Sequence, residues 1–121
     1  PSEYFARNCF VGVSFPSPAE AQAMRTVGLD RVMWGSDYPH LEGTAPFSRE
    51  AVRRTFAGVP RKETEAMLGG NAARIYGFNI AALQPIADRV GPTVAEVDSG
   101  LDAVPEGAVS LAFQDRPPLN V

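Results

Sequence analysis

Histidine and cysteine are almost absent from this sequence, which has one of each, His40 and Cys9, among its 121 residues. Catalytic zinc and related metals usually take several imidazole or thiolate ligands. A complete histidine-rich metal site within a single copy is therefore excluded. One cysteine cannot form an internal disulfide, which fits a reducing compartment, and we expect the cytoplasm.

The sequence also lacks long apolar runs and an excess of basic charge. No stretch reaches the ~18 uncharged apolar residues that a membrane-spanning helix requires, and no basic-then-apolar signal peptide is visible. The chain has 11 basic and 14 acidic side chains and a formal net charge of −3. Such a balance does not favour binding to nucleic acid. We therefore expect neither a membrane nor a nucleic acid among the partners.

Charge and composition divide the chain near residue 90. Residues 1–90 carry ten basic and nine acidic side chains, whereas residues 91–121 carry one and five, with seven Pro or Gly in 31 positions. Hydrophobic residues make up 45% of the whole chain, as is typical of a globular protein. We interpret 1–90 as packed structure and 91–121 as an acidic, irregular tail that lies on a surface or is partly disordered.

The first part begins with a predicted βαβ unit. Residues 9–15 and 31–36 are apolar and rich in β-branched or aromatic side chains, which favours two strands, the second covered on both faces. Between them, Ser17 and Glu20 form a capping-box pattern that opens a helix, and Gly28 ends it. Its buried stripe is expected to include Val27. The connection is long enough for a crossover helix between parallel strands.

Helices are predicted for the rest of this part. We expect one over 48–57, with Ala51, Val52 and Phe56 on its inward side. Another is expected over 60–68 that stops at Gly69 and Gly70, followed by a short turn capped by Asn71. Pro85 is expected to start a second short helix within 80–90. Two adjacent parallel strands cannot close their own sheet edges. The pattern βαβα therefore predicts an α/β fold that is the C-terminal end of a larger structure.

The densest group of chemically useful side chains is residues 35–40, Gly-Ser-Asp-Tyr-Pro-His. Asp37 follows the second predicted strand, and catalytic groups collect at the carboxyl ends of parallel strands. A carboxylate there can ligate a metal or accept a proton, but it can also form a turn with backbone N–H groups. His40 either lines a pocket and contacts substrate or is a partly exposed loop residue. Glu42 and Thr44 are further candidates for substrate contacts.

Two motifs carry a resemblance to a known family. Residues 32–40, Val-Met-Trp-Gly-Ser-Asp-Tyr-Pro-His, are followed about thirty residues later by Gly-Asn-Ala-Ala-Arg-Ile-Tyr-Gly at 70–77. In order and spacing they resemble the C-terminal portion of the amidohydrolase-related family, metal-dependent hydrolases and decarboxylases of the aminocarboxymuconate semialdehyde decarboxylase type. The likeness covers roughly residues 1–90.

The resemblance implies a (β/α)8 TIM-like barrel of which this chain supplies the last two strands and the following helices. It places Asp37 as a catalytic ligand of a divalent metal, Zn²⁺ in the complete enzyme, which activates a water for hydrolysis of a small-molecule substrate. Decarboxylation by the same site is the alternative. The family's His-x-His pair is missing here, so Asp37 is expected to be one ligand of a site completed by a missing N-terminal barrel portion. The isolated chain is then expected to be inactive.

Two further interpretations stay open. The chain is either a non-catalytic small α/β module, which folds alone or forms a homo-oligomer through its open edges, or one half of a split enzyme. Against the module stands the large apolar area that two barrel units would leave uncovered.

Overall fold

The computed structural model describes residues 1–115. Its helices and strands follow in chain order: α1 (Ser2–Asn8), β1 (Val11–Ser14), α2 (Pro18–Ala23), β2 (Val32–Gly35), α3 (Ser48–Phe56), α4 (Arg61–Glu65), α5 (Asn71–Tyr76), α6 (Ile80–Val90) and α7 (Val94–Ser99). In this part of the chain no helix has the length and apolar character needed to span a membrane.

The predicted βαβ unit is confirmed. Strands β1 and β2 pair in parallel, with Val11 beside Val32. Both strands are shorter than predicted, and α1 precedes them where no helix was predicted. The capping box is also present: the Ser17 hydroxyl accepts from the Glu20 N–H, and the Glu20 carboxylate accepts from the Ser17 N–H. The sequence between the strands therefore determines where the crossover helix begins.

The end of this crossover differs from the prediction. Helix α2 ends at Ala23 and continues as a 3₁₀ turn over Met24–Thr26. The tighter turn changes the direction of the following side chains, and Val27 is 38% exposed instead of buried. Gly28 has a φ of 97°, so glycine is needed there to end the helical stretch, as predicted.

One face of the two-stranded sheet is covered and the other is open. Val13 and Trp34 pack against a core formed by Val32, Val52, Phe56, Met67 and Val97. On the opposite face of β1, Gly12 and Ser14 are exposed. The expectation of cover on both faces, made for the second strand, is met on one face only within residues 1–115: Val32 is buried, whereas Met33 and Gly35 on the other face are only partly buried.

The interior side of α3 is the one that the sequence predicted. Ala51, Val52 and Phe56 are all buried. Their spacing puts them on one side of the helix, and that side contacts the core. Thr55 is buried as well, and its hydroxyl donates to the Pro16 carbonyl at 2.6 Å. Helix α3 is therefore attached to the loop that leaves β1.

The predicted helix stop at the glycine pair is wrong. Helix α4 passes through a π-helical segment, Ala66–Gly70, directly into α5. Gly70 has a helical φ of −59°, and a Cβ at this position would lie 3.2 Å from the Glu65 carbonyl oxygen. Glycine permits this close approach, and the helical stretch continues through Gly70.

Asn71 does not cap a helix as predicted. Its side-chain amide is only 5% exposed, and its Nδ2 donates to the carbonyl oxygens of Leu29, at 2.7 Å, and Val32, at 2.8 Å. These two carbonyls lie at the entrance to β2. Asn71 therefore attaches the start of α5 to the beginning of β2, the strand that leads to residues 35–40.

Pro85 does not start a new helix. It lies inside α6, which is continuous and is capped by Asn79, whose side chain accepts from the Ala82 N–H at 3.1 Å. A proline leaves the carbonyl four residues earlier, that of Ala81, without its helical partner. Since no residue of α6 is buried, water can hydrogen-bond to that carbonyl and the helix continues.

Residues 91–115 are mostly irregular, as expected, but they include α7 and pack against the rest of the fold. Val97 of α7 belongs to the main core, and Ala112 and Phe113 form a second buried cluster with Ala51. The apolar side chains that produce this packing are too widely spaced to show a period in the sequence. The predicted tail over 116–121 lies outside the described residues, and a domain boundary at residue 90 stays a prediction.

An ion pair joins the start of α7 to α3. Arg49 Nη2 donates to both carboxylate oxygens of Glu96 at 2.8 Å, and Arg53 Nε donates to the Glu96 carbonyl at 3.1 Å. The Thr93 N–H and hydroxyl also donate to the Glu96 carboxylate. The hydrogen bonds from the Thr93 backbone and side chain, then the one from Arg49, lower the pKa of Glu96 to about 2.

We expect this junction to weaken in acid. The folded-state pKa of Glu96 is lower than its unfolded value, so its ionised form stabilises the fold above the unfolded pKa of 4.5, and this contribution is lost as the pH falls toward about 2. Denaturant midpoints at pH 7 and pH 3 should therefore differ less in Glu96→Gln than in the parent. Glu106→Gln, at an exposed position, is the control. An unaltered pH dependence in Glu96→Gln would contradict this assignment.

Candidate active site

Asp37 lies at the edge where both strands end. It follows β2 by two residues, and the Oγ of Ser14, the last residue of β1, donates to Asp37 Oδ1 at 3.5 Å. Parallel strands present their carboxyl ends at the same edge. The Asp37 side chain is 25% exposed, so it is partly shielded but accessible. This is the location predicted from the sequence; a catalytic or metal-binding role for Asp37 stays a prediction.

The backbone around Asp37 is held by groups other than its carboxylate. Asp37 has a φ of 60°, in the left-handed region that Asp tolerates better than most residues. The turn is closed by the His40 N–H, which donates to the Asp37 carbonyl at 2.9 Å, and by the Tyr38 N–H, which donates to Ser36 Oγ at 3.3 Å. In residues 1–115 no backbone N–H donates to the Asp37 carboxylate. Its carboxylate is thus not the group that forms the turn.

His40 is both exposed and close to Asp37. Its side chain is 66% exposed, and its Nδ1 lies 3.1 Å from Asp37 Oδ2. Glu42, an exposed residue of the same loop, completes a group in which each of the three side chains offers one ligand atom within 4.8 Å of the others. An imidazole nitrogen and two carboxylate oxygens are donors that divalent transition metals accept in proteins. The donors present therefore fit a divalent metal.

Thr44 supports the loop, and the contact with a substrate that the sequence suggested stays a prediction. It is buried, its N–H donates to the Ser36 carbonyl at 2.9 Å, and its hydroxyl shares a hydrogen bond of 2.8 Å with Ser48 Oγ. These contacts connect the end of β2 to the first residue of α3. Together they close the loop that carries Asp37, His40 and Glu42.

Sequence reasoning missed Gly43. A Cβ at this position would lie 2.8 Å from the Ser36 carbonyl oxygen, 2.9 Å from that of Asp37 and 3.0 Å from that of His40. All three are backbone atoms, so none can turn away as a side chain would. The only signal in the sequence is a glycine within the loop, which by itself does not distinguish a close backbone approach from an ordinary turn.

Comparison with known proteins identifies the family. A family model described as amidohydrolase matches residues 1–78. This match covers more than half of the chain, and the chain therefore belongs to the amidohydrolase family. The comparisons with curated proteins and with solved structures gave no match. The predicted resemblance is thus confirmed at the level of the family, and the parallel βαβ unit is consistent with part of its (β/α)8 barrel.

Proposed function

We propose that this chain supplies the last two strands and the following helices of a metal-dependent hydrolase, in which Asp37 is a metal ligand and His40 contacts the substrate. The observation that carries the proposal is the position of the Asp37 carboxylate. It lies at the shared carboxyl edge of two parallel strands, beside the Ser14 hydroxyl and the His40 imidazole. The family match over residues 1–78 supports the same assignment.

The remaining barrel strands are the partner that we propose for this chain. The face of β1 that carries Gly12 and Ser14 is exposed, and two strands of a parallel sheet leave both edges unpaired. Side chains from further strands would cover this face and add ligands beside Asp37. The chain alone is expected to be inactive, either as one part of a longer protein or as one half of a split enzyme.

Asp37 and His40 have separate tasks in this proposal. A divalent metal, Zn²⁺ in our proposal, polarises a carbonyl and makes water a stronger nucleophile at neutral pH when it is bound. Asp37 would hold it, with Glu42 as an accessible second carboxylate. His40 is exposed next to Asp37, so its imidazole can contact the substrate and exchange a proton with solvent.

Hydrolysis is the reaction that we propose. Decarboxylation of the aminocarboxymuconate semialdehyde type is the alternative, since it uses the same Asp37. Product analysis with the assembled barrel distinguishes the two, because hydrolysis adds the elements of water across the cleaved bond, whereas decarboxylation replaces a carboxylate by hydrogen and releases it as CO2. The free thiol of Cys9 fits the cytoplasm as the proposed location.

We expect Asp37→Asn to weaken Zn²⁺ binding by the full chain by at least about 10-fold, the loss typical of removing even an indirect metal contact. The amide keeps the shape of the side chain but removes its negative charge. Isothermal titration calorimetry measures the affinity, and circular dichroism checks the fold.

Asp102→Asn is the matched control, since Asp102 is an exposed carboxylate outside the loop. It should leave Zn²⁺ binding unchanged. Equal loss in the two variants would mean that the ion is attracted by net charge alone, and the proposal would be wrong. No loss in Asp37→Asn would exclude Asp37 as a ligand.

A further inference from the structure

A cavity of about 430 Å³ lies between the loop that carries His40 and the segment of residues 107–113. Its size is in the range of small-molecule sites, about 300–1,000 Å³. The segment on its far side lies outside the stretch that matches the family model, which ends at residue 78. This wall of the cavity is therefore an addition to the family-matched part of the chain.

The lining of the cavity is mainly apolar. Among residues 1–115, no Asp, Glu, Lys or Arg side chain lines it. The large apolar and aromatic side chains of the lining are Tyr38, Leu41, Phe47, Val109 and Phe113. Such a lining favours an uncharged apolar body, because a charged group would lose hydration without gaining an opposite charge.

The cavity adjoins the proposed metal site through His40. The imidazole of His40 belongs to the lining and its Nδ1 lies 3.1 Å from Asp37 Oδ2. A molecule whose apolar body fills the cavity can therefore place a polar end next to His40. Val109 lies on the opposite wall and is 71% exposed, so its side chain is available for contact with such a molecule.

We infer that this cavity binds the uncharged apolar portion of the substrate, and that Val109 in the C-terminal segment contributes to the choice of substrate. The inference rests on the proposed function for the role of the polar end, but binding of the apolar portion requires no metal. The substrate class is then a carbonyl compound with an aromatic or aliphatic body, and not a small polar one.

The experiment compares benzamide with acetamide, which share a carboxamide and differ in the apolar body. Each is titrated into the metal-free full chain while ¹H–¹⁵N spectra are recorded. We expect benzamide to shift the amide resonances of Gly43, Gly107 and Ser110 saturably, and acetamide to leave them unchanged at the same concentrations. In Val109→Ser the affinity for benzamide should fall by at least about 3-fold, since apolar contact area is lost.

Val104→Ser is the matched control, because Val104 is an exposed valine just before that segment and does not line the cavity. It should bind benzamide as the parent does. The inference is overturned if acetamide binds equally well, if the shifts occur only around the separate cavity between α4 and α7, or if the two valine variants behave alike. Benzamide binding is measured without metal and is therefore independent of the Zn²⁺ titrations. Unchanged Zn²⁺ binding in Asp37→Asn would overturn the proposed function and leave the inference about the cavity standing. Absence of benzamide binding would overturn only the inference about the cavity.

Discussion

Replacement of Asn71 by alanine is expected to lower the free energy of unfolding by about 2–4 kcal/mol, since two hydrogen bonds are lost and two carbonyls at the start of β2 lose a partner. The Asn71 amide is buried and donates to the Leu29 and Val32 carbonyls. Urea unfolding followed by fluorescence measures the effect, because Trp34 is the single tryptophan and packs against the core.

Asn8→Ala is the matched control for this prediction. The Asn8 amide also donates to a carbonyl, that of Tyr4 at 2.9 Å, but this hydrogen bond is exposed, so its loss should cost less than about 1 kcal/mol. Asn71→Asp should be at least as destabilising as Asn71→Ala at neutral pH, because an ionised carboxylate cannot donate to either carbonyl. Similar stabilities of Asn71→Ala and Asn8→Ala would show that the two buried hydrogen bonds of Asn71 contribute little to the stability of the fold.

The second large effect is expected for Gly43→Ala, which should lower the free energy of unfolding by about 1–3 kcal/mol, as forced overpacking does. The added methyl group meets the backbone oxygens of Ser36, Asp37 and His40 at 3.0 Å or less. The loop must therefore move, and the carboxylates of Asp37 and Glu42, which lie close together in the parent, should separate. We expect weaker Zn²⁺ binding by the full chain, although no ligand atom is removed.

Gly69→Ala is the control for this second prediction. A Cβ at Gly69 has no neighbour within 4 Å, and its φ lies outside the range that L side chains rarely adopt. Alanine is the better helix former by about 1 kcal/mol, so Gly69→Ala should be neutral or stabilising. Preserved Zn²⁺ binding in Gly43→Ala, with a stability equal to that of Gly69→Ala, would show that the loop tolerates a side chain at this position.

Locally encoded features were the ones that the sequence predicted well. The capping box at Ser17 depends on side chains three residues apart, and the inward side of α3 depends on helical spacing. The position of Asp37 followed from the apolar run before it, because a residue just past a buried strand lies at the sheet edge. Each prediction needed only neighbours in the sequence.

Asn71 and Gly70 show where such reasoning fails. Both residues have a typical role at helix ends, and the sequence favoured that role. In the folded chain the partners of Asn71 are Leu29 and Val32, about forty residues earlier. The contact that decides the role of Asn71 is between two layers of the fold, and no local pattern records it.

The sequence by itself determined the parallel βαβ unit, the family motifs and the placement of Asp37 after the second strand, because periodicity, capping and turn residues act over a few positions. Only the tertiary structure decided that residues 91–115 pack against α3, that His40 and Glu42 lie beside Asp37, and that Gly43 must lack a side chain. The packing of residues 91–115 depends on the burial of scattered apolar groups such as Val97 and Phe113. The geometry of the loop depends on backbone contacts within residues 36–44 that form only on folding.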